Sequence, residues 1–293
     1  MDAALRCLVV EGNVRAARER HAAETGRMPC EAYADALAAV AASLGGAVAC
    51  DFAFPADAGA NLPDAAGLAD YDAVVLTGSA LTVYRVEPAV AQQVALMRAV
   101  YASGTPAFGS CWGLQVGTVA AGGAVALSPA GPEIGFARRL APTEAGRTHP
   151  LLAGRPASFD APAVHLDAVV LPAGDCTVLA ANDLAPVQAA EIRHAGGVFW
   201  GVQYHPEFAL DELAAIVARY GGPLVAAGLC REEAEAEAWA AEIAALHAEP
   251  GRADLAWRHG LNREVLEPAR RLTEIRNFLA RRVRPEKSRR GRA

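Results

Sequence analysis

Two short segments of the chain carry side chains whose types and spacing could do covalent chemistry. The first is AFGSCWGLQ, Ala107 to Gln115, in which Cys111 stands midway between Gly109 and Gly113. An apolar run ends there and helix-forming residues begin, so the cysteine falls at a strand-to-helix corner. Such a corner holds its central residue in a crowded, often left-handed conformation, and only small neighbours fit around it. The bend lifts the side chain above the sheet edge, as at the nucleophile elbow of hydrolases. It also sets the sulfur at a helix N-terminus, where free N–H groups and the helix dipole favour thiolate. A free cysteine is commonly a small buried hydrophobe. Cys7, Cys50 and Cys176 sit in or beside apolar runs and fit that description, whereas the framing glycines mark Cys111 as a nucleophile.

A thiol nucleophile needs a base, and the base an orienting group. VFWGVQYHPEF supplies both, with His205 and Glu207 at the end of an apolar strand. Side chains two apart in extended backbone point the same way, and Pro206 disfavours helix at His205. Glu207 can then accept an imidazole N–H, fix the tautomer and stabilise the imidazolium. Either residue alone would read equally well as a strand cap.

The elements that must position these groups follow from periodicity. LRCLVVE (Leu5–Glu11) and DAVVLTG (Asp72–Gly78) read as buried strands; EAYADALAAVAASLGG (Glu31–Gly46), Val86 to Ala102 and WGLQVGTVAAGG read as helices. Strands alternating with helices predict an α/β fold, an open, mostly parallel sheet with helices on both faces. After Gly123 short β-rich pieces predict strands and hairpins added to that sheet. From Asp211 onward strands disappear, and apolar residues at helical spacing, such as Trp239, Ile243 and Leu246, predict a helical extension packed on the main domain. RRVRPEKSRRGRA, with seven basic residues and one acidic, reads as a disordered, solvated tail. The boundaries expected are 1–222 for the catalytic unit, 223–283 for the extension and 284–293 for the tail. Glu11 to Cys30, a long polar insert, is either a lid near the site or a solvated loop.

GSCWGLQ followed by GVQYHPEF resembles the class I (triad-type) glutamine amidotransferase family, near the glutaminase portion of GMP synthases and their stand-alone relatives. The resemblance covers roughly Leu5 to Tyr220 and implies the flavodoxin-like fold of that family. It implies hydrolysis of the glutamine side-chain amide through a γ-glutamyl thioester on Cys111, with His205 as base and Glu207 completing the triad. It assigns Gly78 and the Trp112 N–H to the oxyanion hole, and Gln115 and Ser79 to substrate binding. His165 and Asp167, two apart on a strand, read either as contacts to substrate or an acceptor partner or, at least as well, as a satisfied surface pair, and Glu133 and Arg138 would neighbour the site. One departure stands out: Gly78-Ser79-Ala80 replaces the two glycines and proline that members often carry, which leaves the second oxyanion donor open.

Neither a metal nor an organic cofactor is implied, and six scattered cysteines without a CxxC pair give no zinc or disulfide framework. No nucleotide-binding loop is present, so any acceptor of ammonia would be a separate ATP-dependent synthetase chain. A formal charge of −6 argues against an overall grip on nucleic acid. The start of the chain lacks a signal-peptide pattern and no apolar run spans a bilayer, which predicts a cytoplasmic protein with no membrane partner. Two alternatives accompany glutamine hydrolysis: a γ-glutamyl hydrolase acting on another γ-glutamyl amide, and a non-catalytic homologue that binds a small molecule.

Overall fold

The computed structural model describes residues 4–291. Strand β1 (Leu5–Val10) is followed by helices α1 (Arg15–Thr25) and α2 (Pro29–Ser43). Then come β2 (Val48–Ala53), α3 (Ala65–Ala69), β3 (Ala73–Leu76), α4 (Pro88–Ser103), β4 (Ala107–Ser110) and α5 (Trp112–Ala120). The β-rich middle comprises β5 (Ala124–Leu127), β6 (Glu133–Pro142), α6 (Glu144–Thr148), β7 (Phe159–His165), β8 (Asp167–Leu171), β9 (Cys176–Ala181), β10 (Ala189–His194) and β11 (Gly197–Val202).

Nine strands form one sheet in the order β2-β1-β3-β4-β11-β10-β9-β6-β7, with β5 and β8 paired separately. The neighbours from β2 through β11 run parallel. Beyond β11 the pairings are antiparallel. The late strand β11 therefore inserts beside β4, and this juxtaposition brings the two chemical segments together. All six β11 residues are buried, as a central strand covered on both faces requires.

Alternation along the strands feeds two cores. Cys7 and Val9 pack with α2 residues such as Leu37 and Val40. Leu8 and Val10 pack on the other face with α4 and α5 residues such as Met97 and Leu114. The helices on both faces agree with the expected fold class.

After β11 the chain is helical: α7 (Leu210–Arg219), α8 (Gly221–Ala226), α9 (Glu233–Ala248), α10 (Ala253–Arg258), α11 (Arg263–Leu266), α12 (Pro268–Arg271), α13 (Thr273–Phe278), a π-turn over Leu279–Val283 and α14 (Arg284–Arg289). Ile275, Phe278, Leu279 and Val283 enter the same core as β1 and α2. The tail expected to be disordered from residue 284 is helical over Arg284–Arg289, and residues 292–293 lie outside the described residues. Its cations are spent on helix C-termini, where carbonyls lack partners and the dipole favours positive charge. Arg284 donates to Leu44 O at 3.0 Å beyond α2, and Arg290 to Gly104 O at 2.7 Å beyond α4. Lys287 also donates to Ala4 O at 3.1 Å. Of the two readings of the polar insert, a solvated loop gives way to helix α1, which lies near the segments that carry Cys111 and His205.

Candidate active site

Cys111 joins β4 to α5 with φ 51° and ψ −103°, outside the regions an L-residue ordinarily occupies. Such backbone costs about 1–3 kcal/mol and persists where its surroundings over-determine it. Here the Cys111 N–H donates to Val202 O on β11 at 2.7 Å, and its carbonyl accepts from the Gln115 N–H at 3.1 Å. The flanking glycines permit the bend. A Cβ on Gly109 would lie 2.8 Å from Gly113 Cα, and one on Gly113 would lie 2.9 Å from Leu76 O. The Cys111 thiol itself donates to Val164 O at 3.6 Å.

His205 follows β11 and is anchored by its N–H to Pro162 O at 2.8 Å. Its Nδ1 pairs with Glu207 Oε1 at 2.7 Å, and its ring stacks on Phe208 with centroids 3.9 Å apart. A carboxylate only accepts, so Nδ1 carries the proton and Nε2 is left for the sulfur and the leaving group. Gly78 closes the remaining edge, since a Cβ there would meet His205 Cε1 at 2.6 Å. Burial disfavours the imidazolium, yet the Glu207 charge and hydrogen bonds to Cys111 and Glu207 outweigh it and raise His205 to about 10. The ring is thus kept charged near neutrality and is able to donate a proton.

Two participants escaped the sequence reading. Ser110 donates to Glu207 Oε2 at 2.8 Å, and its hydroxyl oxygen lies 2.9 Å from the Tyr33 hydroxyl. Since Ser110 gives its proton to the carboxylate, Tyr33 donates to Ser110. Burial pushes Tyr33 well above its ordinary value and keeps it a donor. The signal available was a hydroxyl in a strand otherwise made of Ala, Phe and Gly; Tyr33 gave none.

The loop Gly78–Ser79–Ala80 leaves β3 at the cavity wall. Gly78 O accepts from Asn13 Nδ2 at 3.2 Å and from Thr77 Oγ1 at 2.9 Å, and the Ala80 N–H donates to Asn13 Oδ1 at 3.2 Å. Asn13 is oriented by the fully buried Glu11, which accepts from its N–H at 2.9 Å and its Nδ2 at 2.8 Å. The other Glu11 oxygen accepts from the Cys30 N–H at 2.9 Å. Because the peptide is trans and planar, the Ser79 N–H points opposite the Gly78 carbonyl that Asn13 holds. Trp112 opens α5, so its N–H has no intrahelical partner.

The remaining expected residues are placed differently. Gln115 is 3% exposed and donates through Nε2 to Asp167 O at 3.3 Å, outside the cavity lining, where substrate binding was expected of it. His165 turns into the protein, with Nε2 2.9 Å from Glu133 Oε2. Asn182 and Gln188 also donate to Glu133, so this pair is a satisfied buried cluster. Asp167 accepts from the Tyr84 hydroxyl at 3.0 Å. Arg138 bonds Asp160 and the carbonyls of His259 and Gly260 instead of the site. Gln115, His165 and Asp167 thus lie outside the cavity lining, where substrate contact was expected of Gln115. Among the described residues no group of three or more His, Cys, Asp or Glu is arranged to hold a metal ion.

The model of the family described as glutamine amidotransferase class-I matches residues 47–219. A γ-glutamyl-L-1-hydroxyisopropylamide hydrolase from a Pseudomonas species is 37% identical over 209 residues, 69% of this chain and 68% of that protein. The glutamine-hydrolysing GMP synthase of Aeropyrum pernix is 37% identical over 153 residues, 51% of this chain but only 25% of that protein. The structure of a glutamine amidotransferase from Thermotoga maritima superposes with a TM-score of 0.59 at 17% identity, over 95% of this chain and 98% of that one. At that identity the likeness is one of fold.

Proposed function

The chain belongs to the class-I glutamine amidotransferase family as an amide-hydrolysing enzyme, and from that premise we propose that Cys111, His205 and Glu207 cleave a γ-glutamyl amide through a thioester. Cys111 attacks as the thiolate, the proton of its thiol held on His205 Nε2; the sulfur bonds to the amide carbonyl carbon and the carbonyl π-bond pair moves onto oxygen. The Trp112 N–H and an amide of the Gly78–Ser79 loop receive that oxyanion, where each such donor is worth about 10²–10³ in rate. As the intermediate collapses the C–N bond breaks, its electron pair leaves with nitrogen, and His205 Nε2 gives that nitrogen a proton. Neutral His205 then takes a proton from water, the water oxygen bonds to the thioester carbon, and the C–S bond breaks to release glutamate. Glu207 holds the ring in the tautomer that both steps require.

The observation that supports this most is the buried His205–Glu207 pair, 2.7 Å apart, on the strand that hydrogen-bonds the strained Cys111. Glutamine is the first substrate of the proposal, with ammonia passing to a separate synthetase chain, since glutamine-hydrolysing GMP synthases are similar over 51% of this chain. A second γ-glutamyl amide has a specific observation in its favour: the Pseudomonas hydrolase resembles this chain over 69% of its length. We place the catalytic unit in residues 1–222 and the extension in 223–283, in a cytoplasmic setting that keeps the thiol reduced. No described helix is long and apolar enough to cross a membrane. Glutamate release from glutamine and from N5-substituted glutamines tests the proposal: wild-type protein turns over at least one of them, and Cys111→Ala loses about 10⁴-fold or more. Equal rates in the two proteins would refute it.

A further inference from the structure

His205 can protonate only an atom within reach of Nε2, so the leaving amine departs on the His205 side of Cys111. Ammonia from glutamine would fill little space there. Yet the cavity continues past His205 and Phe208 between α1 and α7, where Ala17 and Ile216 line it. Glu212 lines it too, 3% exposed, and neither of its carboxylate oxygens accepts a hydrogen bond among the described residues. His21 Nε2 stands 3.1 Å from Glu212 Oε1 but out of hydrogen-bonding alignment. Arg219 Nη2 faces His21 Nδ1 at 3.4 Å; an arginine only donates, so Nδ1 accepts and leaves the ring proton on Nε2. A buried carboxylate whose one near donor is misaligned is costly, and this one lines the cavity.

We propose that this space is a leaving-amine subsite, in which Glu212 accepts a hydrogen bond from a hydroxyl borne on a short aliphatic amine. The substrate would then be an N5-hydroxyalkyl γ-glutamyl amide, a specificity that rests on the hydrolysis proposed above. Ala17 and Ile216 suit the aliphatic stem. A second ammonium fits less well, because Arg20 and Arg219 line the same cavity and like charges repel. An unsubstituted alkyl group would bring Glu212 no donor.

The test compares kcat/KM for L-glutamine, N5-propyl-, N5-(2-hydroxyethyl)- and N5-(2-aminoethyl)-L-glutamine, the second and third being nearly isosteric. The hydroxyethyl amide is expected to exceed the propyl amide by about ten- to a hundred-fold, the scale of one buried hydrogen bond to a charge, and to exceed the other two. Glu212→Leu should collapse that ratio to near one by slowing the hydroxyethyl amide. If that variant fails to fold, Ala17→Phe, which fills the space, should lower the hydroxyethyl-to-glutamine ratio. Equal rates for propyl and hydroxyethyl amides in wild type, or glutamine or the aminoethyl amide as the best substrate, would overturn the subsite. In those cases an acid-stable adduct on Cys111 shows that hydrolysis itself stands. Absence of turnover and adduct with all four amides would remove both.

Discussion

Glu207 receives His205 on one oxygen and Ser110 on the other, so its charge is both shared and immobilised. That charge is the main cause opposing burial at His205, which binds its proton at about 10 when folded against 6.5 as a free side chain. The folded state holds the extra proton between those values, so this contribution to stability is fully present below pH 6.5 and is lost as pH rises to about 10. In the proposed mechanism the same proton serves the leaving amine, and the alkaline limb of kcat/KM should therefore lie near pH 10. Glu207→Gln removes the charge and should move that limb to lower pH while cutting kcat by about 10²- to 10⁴-fold. A pH–rate profile checks both, and an unmoved limb would assign it to another group. Cys111, His205 and Glu207 were legible because a flanked corner and an i, i+2 pair are local patterns. Ser110 and Tyr33 meet Glu207 only through the fold, 77 residues apart from each other, and no local spacing announces that.

At the scale of elements, the insert and the loop Gly78–Ala80, the proposed oxyanion loop, are one construction. The loop lacks the second glycine and the proline, and Asn13 braces it from both ends instead, bonding Gly78 O and the Ala80 N–H. Asn13→Ala should free the loop and lower kcat by about 10- to 100-fold, the range expected for small misplacement of reacting groups. KM and melting temperature should change little, because Asn13 is partly exposed. Steady-state kinetics beside a melting curve separates this from a general loss of stability, and an unchanged kcat would refute the bracing role. Helix α1 could not be read from hydrophobic periodicity, since the residues it buries are Arg18 and His21. Arg18 is held by Asp57 at 2.6 Å and stacks on Phe54, with its carbon 4.6 Å from the ring centroid. The α2, α4 and α5 helices, with apolar inner faces and glycines or proline at their ends, were legible to within about three residues at either end.

Across the whole molecule the extension is bound to the site through a buried ionic network. Arg155 bonds Glu264 on α11 at 2.8 Å and Glu274 on α13 at 2.7 Å, and Glu274 accepts from the Tyr204 hydroxyl at 2.9 Å, one residue before His205. Removing one partner of such a network leaves a buried charge unmatched and costs about 3–5 kcal/mol. Glu274→Ala should lower the melting temperature by roughly 10 °C, and truncation after Glu249 should leave insoluble protein. A variant melting within about 2 °C of wild type would show the extension to be dispensable. The sequence announced a helical extension through residues such as Trp239, Ile243 and Leu246, but the ion pairs join residues 109 and 119 apart and were not readable. The basic tail was misread for the same reason, because helix C-termini that accept its cations are tertiary neighbours. Burial pushes the thiols of Cys30 up to about 12 and of Cys50 and Cys176 up to about 11, so these three stay protonated at neutral pH. The most direct test is intact-protein mass spectrometry after acid quench of wild-type enzyme turning over a γ-glutamyl amide, followed by peptide mapping. One γ-glutamyl adduct on Cys111, discharged by water and absent in Cys111→Ala, is the result expected. Turnover without an adduct in wild type, or an adduct on a different cysteine, would contradict it.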